Sequence, residues 1–320
     1  MTRYFAFNGD ADGLCALQQL RLAQPCEATL ITGIKRDIRL LERIDAQAGD
    51  VVTALDISLD QNRAGLLRLL QAGVEVEYFD HHHAGELPAH AGLRAHIDED
   101  ASVCTSILVD RHLDGRHHRW AIAAAFGDNL GGVARAMAEQ AGLGAQDTAT
   151  LEQLGTCLNY NAYGECLDDL HFDPAALAQY MLPFEDPLAF AAQSAAYRVL
   201  CAGYEDDMAR ARSIGPVHEC AGATVLVLPD APWARRAIGV LGNELARTRP
   251  ADAIGLLSPK SSGGYAVSVR VPATSLTGAA DFCRGFATGG GRRLAGGINH
   301  LPDADMERFI GSFSHCFGRP

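Results

Sequence analysis

Apolar positions in the first eighty residues recur in two alternating rhythms. Short apolar runs at residues 3–8, 29–32, 50–55 and 74–79 read as strands. The segments between them repeat their apolar residues at helical spacing: Leu14, Leu17, Leu20 and Leu22 up to the break at Gln24-Pro25, then residues 37–48, then residues 61–71 with Gly73 as the stop. Strand and helix in this order predict a parallel sheet with right-handed crossovers. Such sheets bind ligands beyond the carboxyl ends of their strands. Three of the four runs end there in aspartates: Asp10 and Asp12 in Gly9-Asp10-Ala11-Asp12-Gly13, Asp56 in Asp56-Ile57-Ser58, and Asp80 in Asp80-His81-His82-His83.

Downstream, a helix opens at residues 101–106 and runs to about His112, and an Ala-rich apolar run at 120–126 leads into Gly127-Asp128-Asn129. Further helices are predicted at 133–140 and 148–158, and residues 174–203 are mainly helical, interrupted by Pro183 and Pro187. From Ala223 the rhythm restarts, with strands at 224–228, 253–257 and 265–271 and helices at 234–247 and 275–286. The expected fold class is α/β: an N-terminal parallel-sheet domain (1–190), a helical linker (191–220) and a smaller C-terminal α/β domain (221–320).

Composition narrows the function. The 320 residues are 48% hydrophobic and 21% charged, the balance of a soluble globular protein. No apolar run reaches the roughly 18 residues of a membrane helix, and Met1-Thr2-Arg3-Tyr4-Phe5 starts a strand rather than a signal peptide. The expectation is a cytoplasmic protein without membrane association. A net charge of −12 argues against gripping long nucleic acid by its backbone, although metal ions and a few arginines can locally reverse an acidic field for a nucleotide or short oligonucleotide. Nine cysteines without a C-x-x-C pair read as reduced hydrophobes, with Cys15 and Cys104 in the core, rather than a disulfide framework or zinc site.

Each chemical signal taken singly has two readings. Asp10 and Asp12 suit a metal ion or an Asx turn with an N-cap aspartate. Asp80-His81-His82-His83 suits divalent-metal or phosphate chemistry or a solvated His-rich loop. His112, His117 and His118 read as surface residues, and residues 159–165 as a base pocket or a tight surface loop. Gly289-Gly290-Gly291 beside Arg292 and Arg293 suits anion binding by backbone amides or an ordinary turn.

Together, Asp10, Asp12, Asp56, Asp80-His81-His82 and Asp128, followed by Ser268-Val269-Arg270 and the glycine triplet, resemble the DHH phosphoesterase superfamily, in the branch with a DHH-associated C-terminal domain. The likeness spans nearly the whole chain, and its specificity lies in the order of the motifs. It implies an N-terminal DHH catalytic domain, a distal substrate-binding domain, and two divalent ions, usually manganese, with magnesium or cobalt able to substitute. Asp10 would serve one ion, Asp12, His81 and Asp128 the other, and Asp56 would bridge them. Asp80 would orient His81, and His82 would contact the phosphate. Ser268, Arg270, Gly289, Gly290, Gly291 and Arg292 would bind substrate, while His83 exceeds the motif and receives no role.

Two departures stand out. Family members commonly carry histidines where this chain has Ala6 and Asn8, so the first ion would bind more weakly, use the Asn8 oxygen or enter only with substrate. Arg292 replaces the usual histidine after the triplet; it can hold phosphate bidentately but cannot shuttle a proton, which implies altered substrate choice. The activity implied is hydrolysis of a phosphodiester or phosphate ester in a small nucleotide, such as a dinucleotide, cyclic nucleotide or short oligonucleotide, by water activated between two metals. Polyphosphate or another small phosphate ester is the alternative substrate, and a non-catalytic nucleotide sensor the alternative class. A homodimer remains open, and long nucleic acid is not expected.

Overall fold

Two compact units make up the computed structural model, which describes residues 1–319: the first is Met1–Ala202 and the second begins at Gly203. The first unit opens with β1 (Arg3–Phe7), α1 (Ala11–Ala23), β2 (Thr29–Ile31), β3 (Val51–Leu55), α2 (Leu59–Gln71), β4 (Glu75–Asp80) and β5 (Leu93–Ile97). Helices follow: α3 (Thr105–His112), α4 (His118–Gly127), α5 (Gly131–Gln140), α6 (Ala145–Asn161), α7 (Pro174–Met181), α8 (Pro187–Gln193) and the start of α9 (Ala195–Arg212). The strands pair in the order β2-β1-β3-β4-β5, every pairing parallel. The α/β class and parallel sheet expected from the sequence are thus borne out.

Register positions the chemistry. Phe7 lies opposite Leu55 and Leu55 opposite Phe79, so the segments that follow these residues leave the sheet at one edge. Ala6, Val52, Ala54, Val76 and Tyr78 are buried in one cluster with Leu66, Leu69 and Leu70 of α2, and the alternate positions Phe5, Phe7, Leu55 and Phe79 are buried as well. Burial on both faces is why these strands read as continuous apolar runs.

Several segments differ from the sequence-based expectation, the unexpected strand at 295–301 and helix at 306–317 among them. Residues 37–48 form a single 3-10 turn at Leu40–Arg43 instead of a helix. The buried amide of Asn62 donates to the Ile38 carbonyl at 2.6 Å and accepts the Leu41 N–H at 3.2 Å, occupying backbone groups that a helix would have paired. The strand β5 was not expected. Its Leu-Arg-Ala-His-Ile sequence is only partly buried, and parallel pairing with β4 is what makes it a strand.

The second unit adds β6 (His218–Cys220), β7 (Ala223–Val227), α10 (Pro232–Thr248), β8 (Ala253–Pro259), β9 (Tyr265–Arg270), α11 (Ala279–Cys283), β10 (Gly289–Gly291), β11 (Ala295–Leu301) and α12 (Met306–Phe317). Its sheet runs β10-β11-β9-β8-β7-β6, with only β7 and β8 parallel. One face packs on Phe282, Phe309, Phe313 and Phe317 of α11 and α12, the other on Ala234, Ala237, Ile238 and Leu241 of α10. Among the described residues no helix is long and apolar enough to cross a membrane.

Within the first unit, glycines set how closely the helices that carry the site approach. A Cβ on Gly155 of α6 would lie 1.9 Å from the Ala123 carbonyl oxygen of α4, and one on Gly127 would lie 2.4 Å from the Ala11 Cβ of α1. Both contacts are far inside van der Waals range, so a side chain at either position must push two helices apart. Gly155→Ala is therefore expected to destabilise the unit by about 3 kcal/mol, as overpacking of a close-packed interior does. Denaturant unfolding checks this, and an unchanged midpoint would refute so tight a crossing.

Candidate metal centre

All seven acidic and imidazole positions singled out in the first unit converge at the sheet edge, while His83, which received no role, stands apart, exposed and bonded to Glu99 at 3.1 Å. The convergence has local causes. Asp10 is the N-cap of α1, its Oδ1 accepting the N–H groups of Asp12 (3.0 Å) and Gly13 (3.2 Å). Asp12, within the first turn, reaches the start of another helix, where its two oxygens accept the N–H groups of Thr105 and Ser106 at 2.7 Å each. Asp80 Oδ2 accepts the Leu59 N–H at the start of α2 at 3.3 Å. Three carboxylates thus sit at helix N-termini, where unpaired N–H groups and the helix dipole favour negative charge.

Asp56 has a left-handed backbone, φ 57°, a conformation that aspartate tolerates better than most residues. This turn brings its carboxylate back over the sheet edge, where Thr105 Oγ1 donates to Oδ1 at 3.3 Å. Asp128 follows the apolar helix α4 as its C-cap, a position whose dipole disfavours a carboxylate. Its Oδ2 is buried and makes no hydrogen bond.

The orientation of His81 is the most informative feature. Its Nδ1 lies 2.9 Å from the Val103 carbonyl oxygen, which can only accept, so Nδ1 carries a proton and, in the neutral ring, the lone pair is on Nε2. Nε2 faces three carboxylate oxygens: Asp56 Oδ1 at 3.4 Å, Asp128 Oδ2 at 3.8 Å and Asp12 Oδ2 at 4.0 Å. A lone pair directed at three anionic oxygens is a poor arrangement for protein atoms alone and a good one for a cation among them. Ligand atoms of Asp12, His81 and Asp128 lie within 4.8 Å of one another, as do those of Asp56, His81 and His82. Oxygen and imidazole donors of this kind fit a manganese or magnesium ion. The thiols of Cys15 and Cys104 are pushed well up by burial and by the charge of Asp12, so they stay protonated.

One expected role is corrected. Asp80 does not orient His81, whose ring is fixed by Val103. Its Oδ1 accepts from His82 Nδ1 at 2.7 Å, and His82 keeps 37% of its side chain exposed while Asp80 has none. The carboxylate therefore aims the second histidine rather than the first.

Lys35 was not among the predicted residues. It follows β2 at the same sheet edge, a placement that could have flagged it, but Ile34-Lys35-Arg36-Asp37 matches none of the motifs that drew attention to the other strand ends. Its ammonium is paired with Asp10 Oδ2 and donates to Asn159 Oδ1 at 3.0 Å. Asn159 had been read as part of a polar loop, whereas it lies near the end of α6. Burial works against the charge on Lys35, yet Asp10 outweighs it and holds the ammonium protonated above its ordinary range. Burial likewise opposes the charge on Asp10, but Lys35 keeps its carboxyl below the usual range. Asn8 is buried with its Oδ1 unpartnered.

The predicted substrate residues are in the second unit. Ser268 lies opposite Gly297, and Gly297 opposite Gly290, so these three share one row and one face across β9, β11 and β10. The same face carries Arg270, which donates to Ser268 Oγ at 2.9 Å and to Asn243 Oδ1 of α10 at 2.9 Å. The glycines are a bare edge strand rather than a turn. A Cβ on Gly289 would fall 1.7 Å from the Cys283 carbonyl oxygen, whereas Gly290 faces open space. Arg292 is exposed in the hairpin that follows.

Solved structures share this architecture. An exonuclease RecJ bound to manganese aligns with a TM-score of 0.62 at 17% identity, covering 98% of this chain and 89% of that one. RecJ from Thermus thermophilus in complex with Mn2+ aligns with a TM-score of 0.58 at 17% identity, over 98% of this chain and 51% of its own. PggH, a pGpG-specific phosphodiesterase from Vibrio cholerae, aligns with a TM-score of 0.56 at 14% identity, over 99% and 100%. No family model matches the chain, and no curated protein does. RecJ and PggH are DHH-superfamily proteins, so the architecture expected from the motifs is the one found.

The crowding of carboxylates sets a stability cost. Burial first, then the charges of Asp10, Asp12, Asp128 and Asp80, push the Asp56 carboxyl well above its ordinary range, and burial also raises that of Asp128. A carboxyl raised in the folded state binds its proton more tightly there than in the unfolded chain, so stability falls as pH climbs from the unfolded value through the folded one. In chelator-treated protein, Asp56→Asn is expected to melt above wild type at pH 7, with the gap narrowing as pH falls and closed by about pH 4. Saturating manganese should reverse the order. Calorimetric melting across pH checks this, and identical wild-type and variant curves would count against the repulsion.

Proposed function

We propose that this chain is a metal-dependent phosphoesterase that hydrolyses a phosphodiester or phosphate ester in a small nucleotide substrate. The observation that carries the reading is His81, whose tautomer is fixed by the Val103 carbonyl so that its Nε2 lone pair meets Asp12, Asp56 and Asp128. Those four residues would hold a divalent ion, with manganese the first choice because RecJ was solved with it. When bound, such an ion polarises a phosphoryl oxygen and lowers the pKa of water.

The chain's own residues supply the rest. Asp80 fixes the His82 ring through Nδ1, so that Nε2 can meet a phosphoryl oxygen or the leaving group. Lys35 adds a fixed positive charge beside Asp10. Ser268, Arg270, Arg292 and the bare strand of Gly289, Gly290 and Gly291 are proposed to bind substrate, Arg292 through bidentate phosphate contacts.

A small substrate is favoured over long nucleic acid by the net charge of −12, since backbone binding draws on lysine and arginine. The fold itself is shared by a nuclease and a dinucleotide phosphodiesterase and supports both. The expected result with manganese is mononucleotide release from a linear dinucleotide, faster than from single-stranded DNA or polyphosphate. His82→Ala should lower kcat by roughly 100-fold or more with the melting temperature unchanged. Chromatographic product analysis decides it: inactivity toward dinucleotides beside cleavage of polyphosphate would overturn the nucleotide assignment, and nucleotide affinity without turnover of any ester would establish a sensor.

A further inference from the structure

Two-metal phosphoesterases need a second carboxylate-lined pocket, and here the residues expected to form it are Asn8 and Asp10. Both oxygens of Asp10 are already committed, Oδ1 to the N–H groups of Asp12 and Gly13 and Oδ2 to the ammonium of Lys35. The lysine is not a casual visitor. Its backbone N–H donates to the Ala162 carbonyl at 2.9 Å, its Nζ donates to Asn159 Oδ1 at 3.0 Å, and it lies 5.7 Å from the centroid of the Tyr163 ring. Backbone, amide and aromatic face, all from residues 159–163, therefore fix one ammonium against Asp10. Asn8 contributes only a neutral oxygen, and a divalent ion placed there would face the ammonium at short range, a strongly repulsive arrangement in a poorly solvated site. The residues of the first site thus do not fit a divalent ion.

We propose that the Lys35 ammonium takes the place of the first metal ion, so that this chain works with one divalent ion, held by Asp12, Asp56, His81 and Asp128, and one built-in monovalent cation. The inference rests on the phosphoesterase reading above. It accounts together for three features of the chain: Ala6 and Asn8 where imidazoles are usual, a lysine after β2, and an asparagine on α6 that receives it. An ammonium has three N–H donors. Asp10 and Asn159 take two, leaving one for a phosphoryl oxygen, a role a lysine plays in many phosphate sites as a point charge.

The test is a count of manganese ions on the full chain after chelation, by equilibrium dialysis with elemental analysis, supported by electron paramagnetic resonance. One ion per wild-type chain with an isolated-ion spectrum is expected. Lys35→Ala should admit a second ion and give the spin-coupled signal of a close pair, whereas Lys35→Arg should stay at one. Two ions on the wild type would overturn the substitution while leaving the phosphoesterase reading intact, and so would a Lys35→Ala chain that still takes one. No ion on the wild type would instead overturn the metal centre itself. The wild-type count needs no variant to fold.

Discussion

Mutual repulsion among buried carboxylates governs the first unit. Asp10, Asp12, Asp56 and Asp80 are almost fully buried and Asp128 nearly so, and their charges meet above one edge of the sheet. Left alone, such a group would take up protons or open to water. The surrounding structure is arranged so that most of it does neither. Helices α1, α3 and α2 each point an N-terminus at a carboxylate, Lys35 neutralises Asp10, and Thr105 donates a hydroxyl to Asp56. What stays unbalanced is the space among Asp12, Asp56, Asp128 and His81 Nε2, which a cation would complete.

This division of labour separates the two histidines of the motif. The first is held by a backbone carbonyl and points inward at anions; the second is held by a carboxylate and stays partly open to solvent. Adjacent residues in the chain thus acquire opposite chemistry from their hydrogen-bond partners. The third histidine, paired with Glu99 on the surface, has neither environment.

The fold is shared by proteins described with different substrates. RecJ and PggH carry the same architecture, one an exonuclease and the other a pGpG-specific phosphodiesterase. In this chain the second unit presents a glycine-cleared strip beside Ser268 and Arg270, a surface that a phosphate or sugar can approach closely because no Cβ stands on Gly290.

The sequence by itself determined the parallel sheet and the sites of its aspartates, because strands buried on both faces read as apolar runs and a parallel sheet sends their carboxyl ends to one edge. It also marked Asp128 after an apolar stretch, though not that the stretch was a helix whose position depends on Gly127 and Gly155. It missed β5, whose strand character comes from pairing with β4, and it read a helix at residues 37–48 where the distant amide of Asn62 holds the backbone otherwise. Only the tertiary structure decided which group orients which histidine, and that Lys35 reaches Asp10 across 25 residues while Asn159 meets the same ammonium from 124 residues away. Strand periodicity is a local property, legible wherever a run of side chains alternates or is buried. A tautomer, a cap donated to another helix or a lysine facing a carboxylate depends on partners far apart in the chain, which only folding brings together.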